Sequence, residues 1–212
     1  MVEVEKIFIE NNEIKLEAEY FQSVENTVHP IVLICHPHPQ FGGDMYNNVV
    51  SAIFNLLTQN QISALRFNFR GVGESNGSHT SGSGELTDVK TCIDYLMNQK
   101  DFKKIFICGY SYGAAIGCSA VNYSEKVIGY CAISFPWDFM GIKYKELAQT
   151  EKPKLFIQGD RDDIANYSRF KSHYEFYQNP KKYVIIEGAD HFYWGYEDQL
   201  ANVMLDFYKS IT

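Results

Sequence analysis

The sequence predicts an α/β fold, a mostly parallel twisted sheet with helices on both faces, and three observations carry that prediction. After residue 30, short apolar runs and longer segments of helical periodicity alternate six times. The runs at 31–35 and 105–108 are continuously apolar, as strands covered on both faces must be. The second run leads straight into Gly109-Tyr110-Ser111-Tyr112-Gly113, followed by Ala114, Ala115, Gly117 and Ala120. That is a strand, a sharp turn that needs glycine, and a helix whose small side chains allow close packing. At 212 residues and 45% hydrophobic content, the chain has enough apolar surface for one domain, 1–212, with a substantial core.

In chain order, residues 4–10 and 14–20 alternate apolar and polar around Asn11-Asn12, which reads as an N-terminal antiparallel hairpin with one wet face. The strand at 31–35 ends in His36-Pro37-His38-Pro39-Gln40-Phe41-Gly42-Gly43. A helix is expected over 47–59, a strand over 64–69, and then a Gly- and Ser-rich loop over 70–84. A second helix follows over 85–98, with Leu86, Val89, Ile93, Leu96 and Met97 at helical spacing. After the 105–108 strand and its helix, a strand is expected over 127–133 and a short helical patch over 144–149. The strand at 154–157 runs into Gly159-Asp160-Arg161-Asp162-Asp163. Residues 168–177 read as helix, 183–186 as the last strand, ending in Glu187-Gly188-Ala189-Asp190-His191, and 196–208 as the C-terminal helix. Only residues 134–153 separate two strands where a lid domain could sit, so the lid should be minimal.

Bulk properties narrow the function. A net charge of −7, with no basic block to offset it, argues against nucleic acid as a partner. The first residues carry Glu and Asn through their apolar alternation, so a signal peptide is not expected. No segment approaches the ~18 apolar residues of a membrane span, so no membrane insertion is expected and a cytoplasmic location is the default. The five cysteines (Cys35, Cys92, Cys108, Cys118, Cys131) are odd in number and lack a C-x-x-C, the pattern of buried free thiols in a reducing compartment. The chain is expected to be a monomer or a small homo-oligomer.

Open α/β sheets bind ligands beyond the carboxyl ends of their strands. What stands there is 36–43, 70–73, Ser111, 135–137, 160–163 and His191. G-x-S-x-G between a strand and a helix is a nucleophile elbow, which lifts a serine Oγ clear of the sheet while the helix N-terminus points to where negative charge would develop. A serine needs a base, which His191 can supply, and an imidazole base needs a carboxylate to fix its tautomer. The acidic cluster Asp160, Asp162 and Asp163 follows the serine and precedes the histidine, with turn formation, capping and pairing to Arg161 as the other uses of those carboxylates. Asp190, adjacent in sequence to His191, reads as a turn residue. Oxyanion donors are expected from the backbone N–H of Tyr112 and from the 36–40 loop. Both prolines there lack an N–H, which leaves His38 first and Gln40 second.

Other readings of these residues are weaker. His36 and His38 have a familiar ligand spacing but no further His or Cys nearby, so no metal is expected and His36 is read as ordering its own loop. Gly71, Gly73 and Gly77 lack the spacing and the following helix of a dinucleotide loop. His79 and His173 read as surface residues. Of the aromatics after strand ends, most read as packing, with Trp137 and Phe192 the first candidates for a substrate pocket.

The segments HPHPQFGGDMYNNVV, RFNFRGVGESNG, GSGELTDVKTCIDYL, GYSYGAAIG, QGDRDDI and GADHF resemble the short single-domain α/β-hydrolases related to dienelactone hydrolases and small bacterial carboxylesterases. The likeness runs from about residue 31 to 192. It implies an α/β-hydrolase fold and a cofactor-free Ser-His-Asp hydrolase acting on a small-molecule ester. By the family's pattern, the acid stands three positions after the strand-end glycine, at Asp162, and His38 occupies the oxyanion-donor position. Dienelactone hydrolases use a cysteine nucleophile; Ser111 here argues against dienelactone activity. The expected reaction is hydrolysis of esters with small or medium acyl groups. Thioester or peptide cleavage is the alternative with the same three residues, and a non-catalytic binding protein is the alternative from another class.

Overall fold

The computed structural model describes residues 3–11, 14–24 and 29–212. Strands β1 (Glu5–Glu10) and β2 (Lys15–Phe21) pair antiparallel as the expected hairpin, from Glu5 opposite Tyr20 to Glu10 opposite Lys15. Asn12 of the expected turn lies outside the described residues; Asn11 accepts the Ile14 N–H on its Oδ1 at 3.0 Å. The remaining strands are β3 (Ile31–Cys35), β4 (Ala64–Phe67), β5 (Ile105–Tyr110), β6 (Val127–Ile133), β7 (Lys154–Gly159) and β8 (Lys181–Ile186). All eight form one sheet in the order β1-β2-β4-β3-β5-β6-β7-β8. β2 runs antiparallel to both β1 and β4, and every other pair is parallel.

Strand alternation explains the layers. Val32 and Ile34 of β3 face one side with Phe106 and Cys108 of β5, under α1 (Asn48–Gln59) and α7 (Glu197–Ile211). Ile31, Leu33 and Cys35 face the other with Ile105 and Ile107, under α2 (Ser83–Asn98), α3 (Tyr112–Cys118) and α6 (Tyr167–Glu175). Each such side chain withdrawn fully from water contributes about 1.5–3 kcal/mol, which is why the central strands tolerate no polar face. The segment between β6 and β7 holds only two short helices, α4 (Trp137–Met140) and α5 (Ile142–Leu147), so the strand ends stay uncovered. The parallel sheet, hairpin, two helical layers and minimal lid are those of the α/β-hydrolase fold.

All five cysteines are free and buried, and burial pushes the Cys35, Cys92 and Cys118 thiols well above their ordinary range. No helix among the described residues is long and apolar enough to cross a membrane. β4 ends at Phe67, two residues short of the expected strand, and beyond it the Asn68 side chain donates to Glu17 and accepts the Met45 N–H.

The loops that follow β3 and β4 are anchored by buried polar groups. Arg70 donates through Nε and Nη2 to the fully buried Asp88 of α2, which also accepts the Arg70 N–H at 3.0 Å. Glu85 accepts the N–H groups of Thr80 and Gly82 and the Thr80 hydroxyl, closing the start of α2. His36 ties the two loops together. Its Nδ1–H donates to Pro37 O at 2.7 Å, and its Nε2 accepts the Phe69 N–H at 3.0 Å. Those partners require the neutral ring, and burial lowers its pKa from 6.5 to about 4.

This gives a signed prediction. The unfolded chain takes up the His36 proton first, so the full contribution is present above pH 6.5 and is lost as pH falls through about 4. Urea unfolding of wild type between pH 7.5 and 4 should show about 3 kcal/mol more loss than unfolding of His36→Gln. Parallel pH profiles for the two proteins would refute it.

Candidate active site

The turn between β5 and α3 is built by close approach. A Cβ on Gly109 would stand 2.2 Å from Gly113 O, and a Cβ on Gly113 would stand 2.2 Å from Cys35 O, so only glycine fits at either place. Ser111 between them has φ 53° and ψ −119°, a conformation that costs a non-glycine residue about 1–3 kcal/mol. Its N–H donates to Ile133 O at 2.8 Å, which pins the strained residue to the end of β6.

The side chains that the sequence placed at separate strand ends meet here. Ser111 Oγ lies 2.8 Å from His191 Nε2, and His191 Nδ1 lies 3.0 and 2.9 Å from the two oxygens of Asp162. All three residues are buried. A carboxylate on Nδ1 places the ring proton there and leaves Nε2 free to accept from the serine hydroxyl. The Tyr110 hydroxyl donates to the His191 carbonyl at 2.5 Å and holds that residue's backbone.

Asp162 is positioned by more than His191. Its Oδ1 accepts the N–H groups of Ile164 (3.0 Å) and Ala165 (2.8 Å), and its Oδ2 accepts the Ser134 hydroxyl at 2.6 Å. Because Ser134 gives its one proton to the carboxylate, the Tyr193 hydroxyl 2.7 Å away must donate to Ser134. Burial pushes the Asp162 carboxyl up, but the His191, Ser134 and Ala165 hydrogen bonds outweigh it, so its pKa ends below the ordinary value. The sequence does not single out Ser134, and it places Tyr193 only among the aromatics after strand ends that read as packing. The available signal was a polar residue directly after the β6 run, at a strand end. The other two acids do something else: Asp160 accepts the Gly188 N–H at 2.7 Å, and Asp163 is exposed. Asp190 accepts the Phe192 N–H at 2.9 Å, in keeping with a turn.

The loop after β3 engages most of its own amides. Gln40 N–H donates to His38 Nδ1, Phe41 and Gly43 N–H to His38 O, and Gly42 N–H to Pro39 O. Gln40, the second candidate donor, is therefore occupied. The N–H groups of His38 and Tyr112 have no acceptor among the described residues.

These residues border a cleft of about 690 Å³. Its apolar wall includes Phe41, Phe139, Met140, Ile164 and Phe192, and no Lys, Arg, Asp or Glu side chain lines it. Of the two aromatics proposed for a pocket, Phe192 borders this cleft and Trp137 does not. Its ring stacks on Phe135 and His173, with centroids 5.0 and 4.9 Å away, and its Nε1–H donates to Tyr177 OH at 2.9 Å. The four-residue α4 sends Trp137 into the core and presents Phe139 and Met140 to the cleft instead. The two histidines expected at the surface are also corrected. His79 Nδ1 lies 2.9 Å from the buried Glu85, and His173 packs under Trp137 between Lys145 and Asp138. Among the described residues, no three His, Cys, Asp or Glu side chains gather to hold a metal ion.

A family model described as an alpha/beta hydrolase domain matches residues 30–199. The chain belongs to the α/β-hydrolase family. An uncharacterised protein of Rickettsia prowazekii is 30% identical to this α/β-hydrolase, over 97% of this chain and 89% of the relative. Among solved structures, an alpha-beta serine hydrolase homologue from Coxiella burnetii is 29% identical, with a TM-score of 0.85 over 98% of this chain and 97% of that one. A putative alpha/beta hydrolase of unknown function from Agrobacterium tumefaciens is 31% identical, with a TM-score of 0.87 over 97% and 95% of the two chains.

The Ser134 link yields a stability test that is independent of any activity. Ser134→Ala leaves the buried Tyr193 hydroxyl without an acceptor and should destabilise this α/β-hydrolase by about 1–3 kcal/mol in urea. Adding Tyr193→Phe removes the orphaned donor and should recover much of that loss. Equal stability of wild type and Ser134→Ala would show that the hydrogen bond is not made.

Proposed function

We propose that this α/β-hydrolase is a serine hydrolase that cleaves carboxylic esters of small or medium acyl groups. The observation that carries the reading is the continuous chain from Ser111 Oγ through the His191 ring to Asp162. Ser111 attacks the ester carbonyl as His191 Nε2 takes its proton, and Asp162 stabilises the imidazolium that forms. The backbone N–H groups of Tyr112 and His38 hold the oxyanion, consistent with their lack of any other acceptor. The imidazolium then protonates the leaving alcohol. Water, deprotonated by His191, attacks the acyl-enzyme and releases the acid. The mechanism draws only on side chains, backbone and water, and the uncharged cleft suits a neutral small-molecule ester.

The test is p-nitrophenyl butyrate hydrolysis together with fluorophosphonate labelling. Wild type should turn over the ester and take the label, and Ser111→Ala should do neither. Asp162→Asn should lower kcat by about 10³–10⁴-fold, since the wrong imidazole tautomer is then favoured. Asp163→Asn, on the surface, should stay within a few-fold of wild type, on the order of a neutral surface change. Failure of wild type to label or to cleave any ester or thioester would dispose of the proposal. Labelling that persists in Ser111→Ala would move the nucleophile.

A further inference from the structure

At the cleft, the side chains of Asn47 and His38 each carry a donor with no acceptor among the described residues. Asn47 caps α1 by accepting the Val49 N–H on Oδ1, and its Nδ2 makes no hydrogen bond among the described residues. His38 is the more informative. Its Nδ1 accepts the Gln40 N–H at 3.2 Å, so Nδ1 carries no proton and the neutral ring must carry it on Nε2. That Nε2–H has no acceptor among the described residues.

The ring cannot swing freely. Phe41, Tyr112 and His79 surround it with centroids 4.8, 4.6 and 5.1 Å away, and His79 is itself set against Glu85. Burial first, and the neighbouring His79 second, lower the His38 pKa, which favours the neutral form that the Gln40 contact requires. The result is an oriented, uncharged donor on the same residue whose backbone N–H has no acceptor. It stands in a cleft that contains no carboxylate, ammonium or guanidinium.

We propose that the His38 Nε2–H, with Asn47 Nδ2 as a second donor, recognises an uncharged acceptor oxygen on the acyl part of the substrate. The preferred esters are then neutral ones that carry an oxo, alkoxy or second ester oxygen close to the scissile carbonyl. This rests on the ester-hydrolase reading above. The acyl side follows from chemistry. The leaving oxygen must reach His191 to be protonated, whereas His38 sits on the loop that would hold the carbonyl oxygen, and its side chain borders the same cleft as Ser111. A matched hydrogen bond of this kind is worth up to roughly tenfold in kcat/KM. Charged acyl groups would find no counter-ion and would lose their hydration on entry.

The experiment compares p-nitrophenyl methoxyacetate with p-nitrophenyl butyrate, which differ by one oxygen in place of a methylene, in wild type and His38→Ser. Serine keeps an acceptor for the Gln40 N–H but is too short to put a donor where Nε2 stands. The higher intrinsic reactivity of the alkoxy ester is common to both proteins and cancels. The kcat/KM ratio of methoxyacetate to butyrate should be about tenfold greater in wild type than in His38→Ser. A second arm uses wild type alone, comparing methyl p-nitrophenyl adipate with the corresponding monoacid; the neutral diester should be favoured at least about tenfold. An unchanged ratio in His38→Ser, with both esters still cleaved, overturns the donor role. Equal rates on diester and monoacid overturn the neutral substrate class. Should His38→Ser not fold, His38→Thr serves for the same ratio, because threonine also caps and is likewise too short to put a donor where Nε2 stands. If wild type cleaves none of these esters, the ester reading itself falls, and this inference with it.

Discussion

The site depends on how closely one stretch of backbone approaches its neighbours. At Gly109 and Gly113 the space a Cβ would need is filled by carbonyl oxygens, one from within the turn and one from β3. That proximity forces the chain to reverse over Gly109–Gly113, and Ser111, at the apex, takes up the strain in its positive φ. An isolated turn would relax. Here it cannot, because β5 lies between β3 and β6 in the sheet and the Ser111 N–H is tied to Ile133. Strain on the order of 1–3 kcal/mol is small beside the burial of every residue in β5. The apolar core therefore does chemical work at a distance: it holds Ser111 Oγ where no relaxed backbone would put it.

A second constraint fixes the other half of the site. Ser111, Asp162 and His191 follow three different strands, so their alignment requires the ends of those strands to be fixed relative to one another. The Tyr193–Ser134–Asp162 chain does this through side chains, linking the loop after β8 to the end of β6 and the end of β7. The Tyr110 hydroxyl joins β5 to the His191 backbone in the same way. Buried polar groups are costly unless satisfied, and each of these has its partner, so the network favours one arrangement of the loops over its neighbours. His36 and the Arg70–Asp88 pair play the same part for the loops after β3 and β4.

The sequence made the layers and the meeting point of the strand ends legible because both follow from local pattern: apolar runs, helical spacing, and glycines flanking a serine. Ser111, His191 and the acidic cluster at 160–163 could be placed at one sheet edge for that reason, whereas the choice of Asp162 within the cluster rests on the family resemblance. The residues that were misplaced or missed depend on tertiary detail. Trp137 is read as a pocket residue because it follows a strand end, but a helix of only four residues decides which of its side chains face outward, and periodicity is silent over so short a span. His79 and His173 are half-buried against acids of two helices, Glu85 of α2 and Asp138 of α4, and neither pairing follows from the apolar periodicity that reveals the layers. Ser134 looks like any serine after a strand until the fold brings Asp162 and Tyr193 to it.

The minimal lid bears on how such a cleft could exclude water. Backbone donors and buried ion pairs act strongly only where water is kept out. A large lid would supply that exclusion from the protein; α4 and α5 are too short to reach across. Phe41 and Phe139 stand at the rim with 87% and 75% of their surface exposed, an unusual place for aromatic rings that touch a cleft. On the proposed reading, the substrate's own apolar groups would cover these rings and displace water from the oxyanion donors in the same step. Binding and activation would then be coupled through one surface. An open apolar rim around a few oriented, uncharged donors is a consistent physical solution for a hydrolase that has no cap to close.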